Sequence, residues 1–257
     1  MKTSKNELTA LFKQAFEGVG YDLGGYENAA DMIIWAQMHG LDSFDVIRKN
    51  IPDYEQRKNS LREQPEQLTS DSNENVVIDA KNNSSIVAAV MAFDIAYVEA
   101  IKNSIAKVTV LNCYDRKLII KKVVDCAKRG VVCLAYWHDG ETLHVVTSNT
   151  DDSCPEYTQY SMTALADEDY LHEKHQQTLF VVCASDIASL QQYISKNLSD
   201  LKGNQTKVIS PTMMKSSYMS TLTNGIEIDP RFWQELAVLG NQVLVESTEQ
   251  SRMGAGA

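Results

Sequence analysis

A chain of 257 residues, 44% hydrophobic and 23% charged, is long enough to bury a substantial core as one large domain or two small ones. Its 34 acidic against 24 basic residues leave a formal charge of −10, which argues against nucleic acid or an anionic membrane surface as the main partner. No apolar run reaches the length of a membrane span, and the N-terminus lacks the apolar block and cleavage site of a secretion signal, so the expected location is cytoplasmic.

Residues 6 to 19 set Leu8, Leu11, Phe12, Ala15, Phe16 and Val19 at helical spacing, which predicts an amphipathic helix ended by the glycine-rich GVGYDLGGY. A second helix is expected from Glu27 to about His39, with Gly40 as its stop. Asp42 or Ser43 would cap a third, running through Val46 and Ile47 toward Pro52. The stretch from Tyr54 to Asn75 is polar almost throughout and reads as an exposed helix followed by a linker. The chain thus divides into an N-terminal helical segment (1–58), a polar linker (59–75) and an α/β domain (76–257).

Beyond the linker, strands and helices alternate. VVIDA (76–80) is a strand, 86–104 a helix, AKVTVLNC a strand, and 118–129 a helix stopped by Gly130. The strand VVCLAYWH then turns at His138-Asp-Gly into TLHVVTS. TLFVVCAS follows at 178–185, then a helix through ASLQQYISKNLSDL. A last helix, 229–240, starts at Asp229-Pro230 and is expected to pack back on the N-terminal helices. This alternation predicts a mixed α/β fold with at least one right-handed crossover, carrying an N-terminal helical arm.

Chemistry is harder to place. Five cysteines, odd in number and with no C-x-x-C pair, lie mostly in apolar runs such as VVCLAY and FVVCAS, so reduced core thiols are favoured over a metal or catalytic thiol. His172 and His175 form H-E-x-H rather than H-E-x-x-H and read as a solvated segment; no metal is expected. Neither phosphate-cradling glycine motif follows a strand, and the turn YDRK after VTVLNC holds no glycine to admit a pyrophosphate. There is no G-x-S-x-G element, and the SRMGAGA tail is expected to be flexible. What remains is the helix break carrying His39, Asp42, Asp45 and Arg48. An arginine there could grip a small carboxylate in bidentate fashion. The plainer reading is capping by Asp42 with solvated charges around it.

Taken in order, four segments resemble the type-2 malate/L-lactate dehydrogenase family, NAD(P)-dependent enzymes with a fold unrelated to the Rossmann dehydrogenases. ENAADMIIWAQMHGLDSFDVIR stands where the family has a helix and a D-S-H-G-V-x-R turn: Asp42, Ser43, Val46 and Arg48 fit, Phe44 replaces the histidine and Asp45 the glycine. VVIDAKNNSSIVAAVMAFDIAYVEAIKNSIAKVTVLNC is similar to the family's strand, long helix and strand. NCYDRKLIIKKVVDCAKRGVVCLAYW stands where the family has N-S-x-H-x-G and a helix; Asn112 fits, but Asp115 takes the place of the catalytic histidine and Lys117 that of the glycine. NGIEIDPRFWQELAVLG looks like the helix that closes family members.

The resemblance covers most of the chain, whereas family members are considerably longer. Their G-T-N-P-type loop and following strand, which help hold the nicotinamide, have no recognisable counterpart between Ser148 and Thr178. Hydride transfer needs a positioned acid/base and a bound nicotinamide, and Phe44 cannot exchange a proton. The resemblance therefore implies a shortened, divergent relative without ordinary NAD(P)-dependent oxidation of 2-hydroxy acids. It would keep a pocket for a small carboxylic acid around Arg48, Ser43 and Asp45, with His39 and Asp115 nearby. No cofactor is expected, though the resemblance keeps NAD(P) open. It also implies a homodimer, or a heteromer with a full-length relative. Two alternatives stand beside this: an enzyme on a small 2-oxo or 2-hydroxy acid or cyclic imine, using Asp115 or His39 as acid/base, and a structural protein without ligand.

Overall fold

Helices come first because the N-terminal apolar residues recur at helical spacing with a polar cap at the entries of the first two helices. In the computed structural model, which describes residues 1–56, 63–68, 75–148, 154–161, 177–198 and 205–241, β1 (Lys2–Thr3) leads into α1 (Lys5–Val19), α2 (Leu23–Met38) and α3 (Ser43–Gln56). Ser4 and Glu7 form a reciprocal capping box at the head of α1, and Gly20 closes it in the left-handed region at φ 109°. The expected glycine-rich turn is shorter than predicted. Asp22 caps the Gly25 amide at 2.7 Å, so Leu23 to Tyr26 form the first turn of α2, which therefore starts before Glu27.

α3 runs through Pro52 to Gln56 rather than stopping at the proline. Tyr54, expected in an exposed stretch, is 1% exposed and sets its ring edge-on to Phe16 at 5.5 Å. Nor does Asp42 or Ser43 cap the Phe44 amide: that amide donates to Oε1 of Gln37 on α2 at 3.1 Å, while the Ser43 hydroxyl donates to the Ile33 carbonyl at 2.6 Å.

Next come β2 (Glu66–Leu68), β3 (Asn75–Asp79), α4 (Ser85–Asn103), β4 (Ile105–Leu111), a 3-10 turn (Arg116–Ile119) and α5 (Ile120–Lys128). They are followed by β5 (Val132–Asp139), β6 (Thr142–Ser148), β7 (Glu156–Ser161), β8 (Leu179–Ala184) and α6 (Ile187–Asn197). β9 (Gln205–Ile209), α7 (Pro211–Asn224), β10 (Ile226–Glu227) and α8 (Pro230–Gly240) complete the order. Eight strands form one mixed sheet, ordered β2-β3-β4-β8-β5-β6-β7-β9; β3 and β4 are parallel across α4, and the other ladders are antiparallel. The fold is α/β with a mixed sheet, as the alternation predicts.

Several elements escape the sequence pattern. β7 lies between Ser148 and Thr178, where no strand was recognised, and β9 and α7 precede the last helix. β2 also falls inside the polar stretch expected as linker and pairs with β3. His172, His175 and the SRMGAGA tail lie outside the described residues.

The run VVCLAYW is apolar at successive positions because both faces of β5 are covered. Cys133, Ala135 and Trp137 face the main core, while Val132, Leu134 and Tyr136 face a second cluster built on Leu190 of α6. α8 lies on α1. A Cβ on Gly18 would fall 1.9 Å from the Leu239 carbonyl oxygen, so a side chain there would force the two helices apart. Phe12 and Phe232 meet edge-on across this contact at 6.3 Å. Among the described residues no helix is long and apolar enough to cross a membrane.

Candidate functional site

The residues predicted to form one site are not gathered. Phe44 is 6% exposed, with the rings of Phe12 and Phe232 at 5.5 and 5.8 Å. Ser43 beside it is buried and hydrogen-bonded to Ile33, so it does not face a ligand. Arg48, a turn along α3, reaches to α8: its guanidinium pairs with Asp229 at 2.7 Å and Glu235 at 3.5 Å and lies 6.0 Å from the Phe232 ring centre. Two carboxylates of this chain thus occupy the arginine expected to grip a substrate carboxylate. Asp45 is exposed and adds its negative charge to those around Arg48.

Asp115 turns the other way. It sits at φ 57° before the 3-10 turn, 8% exposed, and its carboxylate accepts from Asn50, Tyr54 and Ser84. Its backbone carbonyl accepts from the Ser85 hydroxyl at 2.8 Å. Burial pushes its carboxyl up to about 6 even though three donors favour the ionised form. Asp115 and Arg48 share no partner: one is held by α3 and the head of α4, the other by α8.

A second histidine network was not anticipated. Tyr157 on β7 accepts from the Gln159 side-chain amide at 2.7 Å and lies 2.7 Å from Nδ1 of His144 on β6. Burial holds the His144 imidazole down to about 4, so at neutral pH Nδ1 accepts the Tyr157 proton. Trp137 stacks on His144 at 4.9 Å, only 2° from parallel. The alternation of TLHVVTS placed His144 on a strand, but its tyrosine partner comes from a strand the pattern missed.

His39, of the predicted residues, lines an open cavity. That cavity, of about 620 Å³, lies where α1, α2 and α7 meet the end of α5. His39 is stacked between Trp35 at 3.9 Å and Tyr218 at 4.9 Å, so protein rings cover both faces of the imidazole. Nδ1 donates to the Trp35 carbonyl at 2.6 Å, and burial lowers the pKa. The neutral ring therefore presents Nε2 as an acceptor. Lys5, Lys13, Lys128 and Lys215 line the same cavity, against Glu27 and Asp31. Glu27 is paired with Lys13 at 2.9 Å, and Asp31 with Lys121 at 3.0 Å. In a chain of net charge −10 this is a local reversal of sign. Such a cleft can hold a small anion by its cations and orient a hydroxyl by the imidazole edge. Helical spacing showed His39 near the end of α2; the lysines come from separate helices, and no sequence signal links them.

A family model described as a protein of unknown function (DUF3726) matches residues 3–74. No curated protein matches the chain in sequence. Solved structures align along almost the whole length. Malate dehydrogenase from Pyrococcus horikoshii OT3 is 12% identical, over 96% of this chain and 96% of that one, with a TM-score of 0.69. Sulfolactate dehydrogenase from Methanocaldococcus jannaschii is 10% identical, over 95% and 97%, at 0.62. A delta1-piperideine-2-carboxylate reductase from Pseudomonas syringae pvar. tomato is 12% identical, over 93% and 99%, at 0.60. At such identities the likeness speaks for fold alone: this chain has the malate/lactate dehydrogenase-like fold.

Proposed function

We propose that this chain binds a small hydroxylated carboxylic acid in the lysine-lined cleft and does not oxidise 2-hydroxy acids with NAD(P). The observation that carries the reading is the neutral His39 imidazole, held rigid by Trp35 and Tyr218 with Nε2 unbonded among the described residues, in a cavity lined by four lysines. The carboxylate would lie among Lys5, Lys13, Lys128 and Lys215, and the hydroxyl would donate to Nε2. The positions at which the family resemblance implies catalysis support the loss of hydride transfer. Phe44 has no proton to exchange, Asp115 is engaged with three neutral donors, and Arg48 is neutralised by Asp229 and Glu235. The pocket thus lies at His39 instead of at Arg48.

Thermal melts with L-malate, succinate and NADH test this. L-malate raises the midpoint and succinate, lacking the hydroxyl, raises it less. His39→Ala removes the difference between the two acids, and Lys128→Glu, at the exposed end of α5, weakens both. Reduction of NAD⁺ with malate by the purified protein would overturn the reading. So would a malate response that survives His39→Ala and vanishes in Arg48→Ala.

A further inference from the structure

Three of the five cysteines, separate in sequence, converge between α5 and the sheet. Cys133 on β5 and Cys183 on β8 are directly opposite in their antiparallel ladder, and Cys126 reaches them from the inner face of α5. Both backbone hydrogen-bonding groups of Cys133 turn the other way, to the Ser148 hydroxyl on β6, at 3.1 and 3.3 Å. The Cys133–Cys183 pair is therefore of the non-hydrogen-bonded kind, the closer of the two antiparallel spacings. Their sulfurs are 3.6 Å apart, and all three lie within 4.8 Å of one another. The three residues are 2%, 0% and 0% exposed.

We propose that Cys126, Cys133 and Cys183 bind one cuprous ion in a buried three-sulfur site. An ion bonded to three sulfurs at about 2.3 Å, in their plane, needs them about 4 Å apart, so these thiols need little movement to close on it. The donors are all sulfur, which selects soft ions over magnesium, calcium or manganese. Among the described residues no histidine or carboxylate joins the group, and burial leaves no room for solvent. Zinc would be left one ligand short of its tetrahedral set, whereas a cuprous ion is satisfied by three thiolates. The positive Arg129 guanidinium acts on the Cys126 sulfur in the direction that favours its thiolate. Each bond to the ion replaces an S–H by an S–Cu bond and releases one proton to solvent; no electron is transferred.

The test is anaerobic titration of the reduced protein with the cuprous bicinchoninate complex. One equivalent of copper is expected to leave the chelator, with a thiolate-to-copper band in the near ultraviolet and three sulfur neighbours at about 2.3 Å by X-ray absorption. Cys133→Ser and Cys126→Ser each lose the equivalent, whereas Cys113→Ser and Cys154→Ser keep it. The absorption spectrum of the wild-type protein stands on its own if a cysteine variant fails to fold. Retention of all copper by the chelator overturns the site, as does fewer than three sulfurs at the metal. Preferential uptake of zinc, or an intact mass two hydrogens low in freshly isolated protein, showing a Cys133–Cys183 disulfide, overturns it equally.

Discussion

Two polar places in the helical half of the molecule are completed in opposite ways. Around Asp115 three donors from within the chain, Asn50, Tyr54 and Ser84, converge on one carboxylate beneath α3. Around His39 the rings are fixed as firmly, by Trp35 and Tyr218, yet Nε2 has no partner among the described residues and His39 lines an open cavity. A polar group enclosed with its partners stabilises or strains the fold; one held rigid but left unbonded is ready for a ligand. By this measure the donors around Asp115 serve the fold, whereas the cleft at His39 is the place proposed to take a ligand.

The strongest way to break the comparison is Phe44→His, which restores the residue type that the family resemblance implies. The imidazole would enter a pocket formed by Phe12 and Phe232 without a polar partner, and we expect a loss of about 3–5 kcal/mol in urea unfolding. No malate-dependent reduction of NAD⁺ should appear. A stable and active variant would return catalysis to α3.

Asp115→Asn gives a smaller effect with a definite pH signature. The folded pKa, about 6, is above the ordinary 3.8, so the native state binds this proton more tightly than the unfolded chain. Its contribution is greatest below 3.8 and is lost as pH rises through 6, amounting to about 3 kcal/mol. Asparagine has no such titration. Unfolding free energies at pH 4 and pH 8 should therefore show the wild type losing stability relative to the variant as pH rises. A wild-type-minus-variant difference independent of pH would place Asp115 in contact with solvent.

Arg48→Met should change least. Its ion pairs with Asp229 and Glu235 are exposed and screened, so the melting midpoint barely moves and the response to L-malate is unchanged. Loss of that response would put the ligand on α3 and reverse the contrast.

How far these regions were legible depends on the range of the signal. Helices α1 and α4 and strands β4, β5, β6 and β8 follow from apolar periodicity, because burial of one face or two repeats every few residues. β7 and β9 do not: EYTQYS and QTKVI are polar strands toward one edge of the sheet, with little apolar pattern. α7, PTMMKSSYMSTLTN, buries only Met214 and carries serine and threonine along its length, so neither its spacing nor its propensity announces a helix. Tyr54 was misread for a related reason: its polar neighbours in sequence hid a ring that packs on α1 and reaches Asp115.

From the order of its apolar and polar residues alone, the chain determined an α/β fold; that Phe44 stands where a proton-handling residue would be is what the family resemblance implies. Only tertiary structure decided which charges were spent. Arg48 meets Asp229, Asp115 meets Tyr54, and Cys183 meets Cys133 and Cys126 across β8, β5 and α5, through contacts distant in sequence. Periodicity reports which way a side chain faces, which is a local property of the backbone; whether a polar group finds a partner depends on what the rest of the chain brings to it.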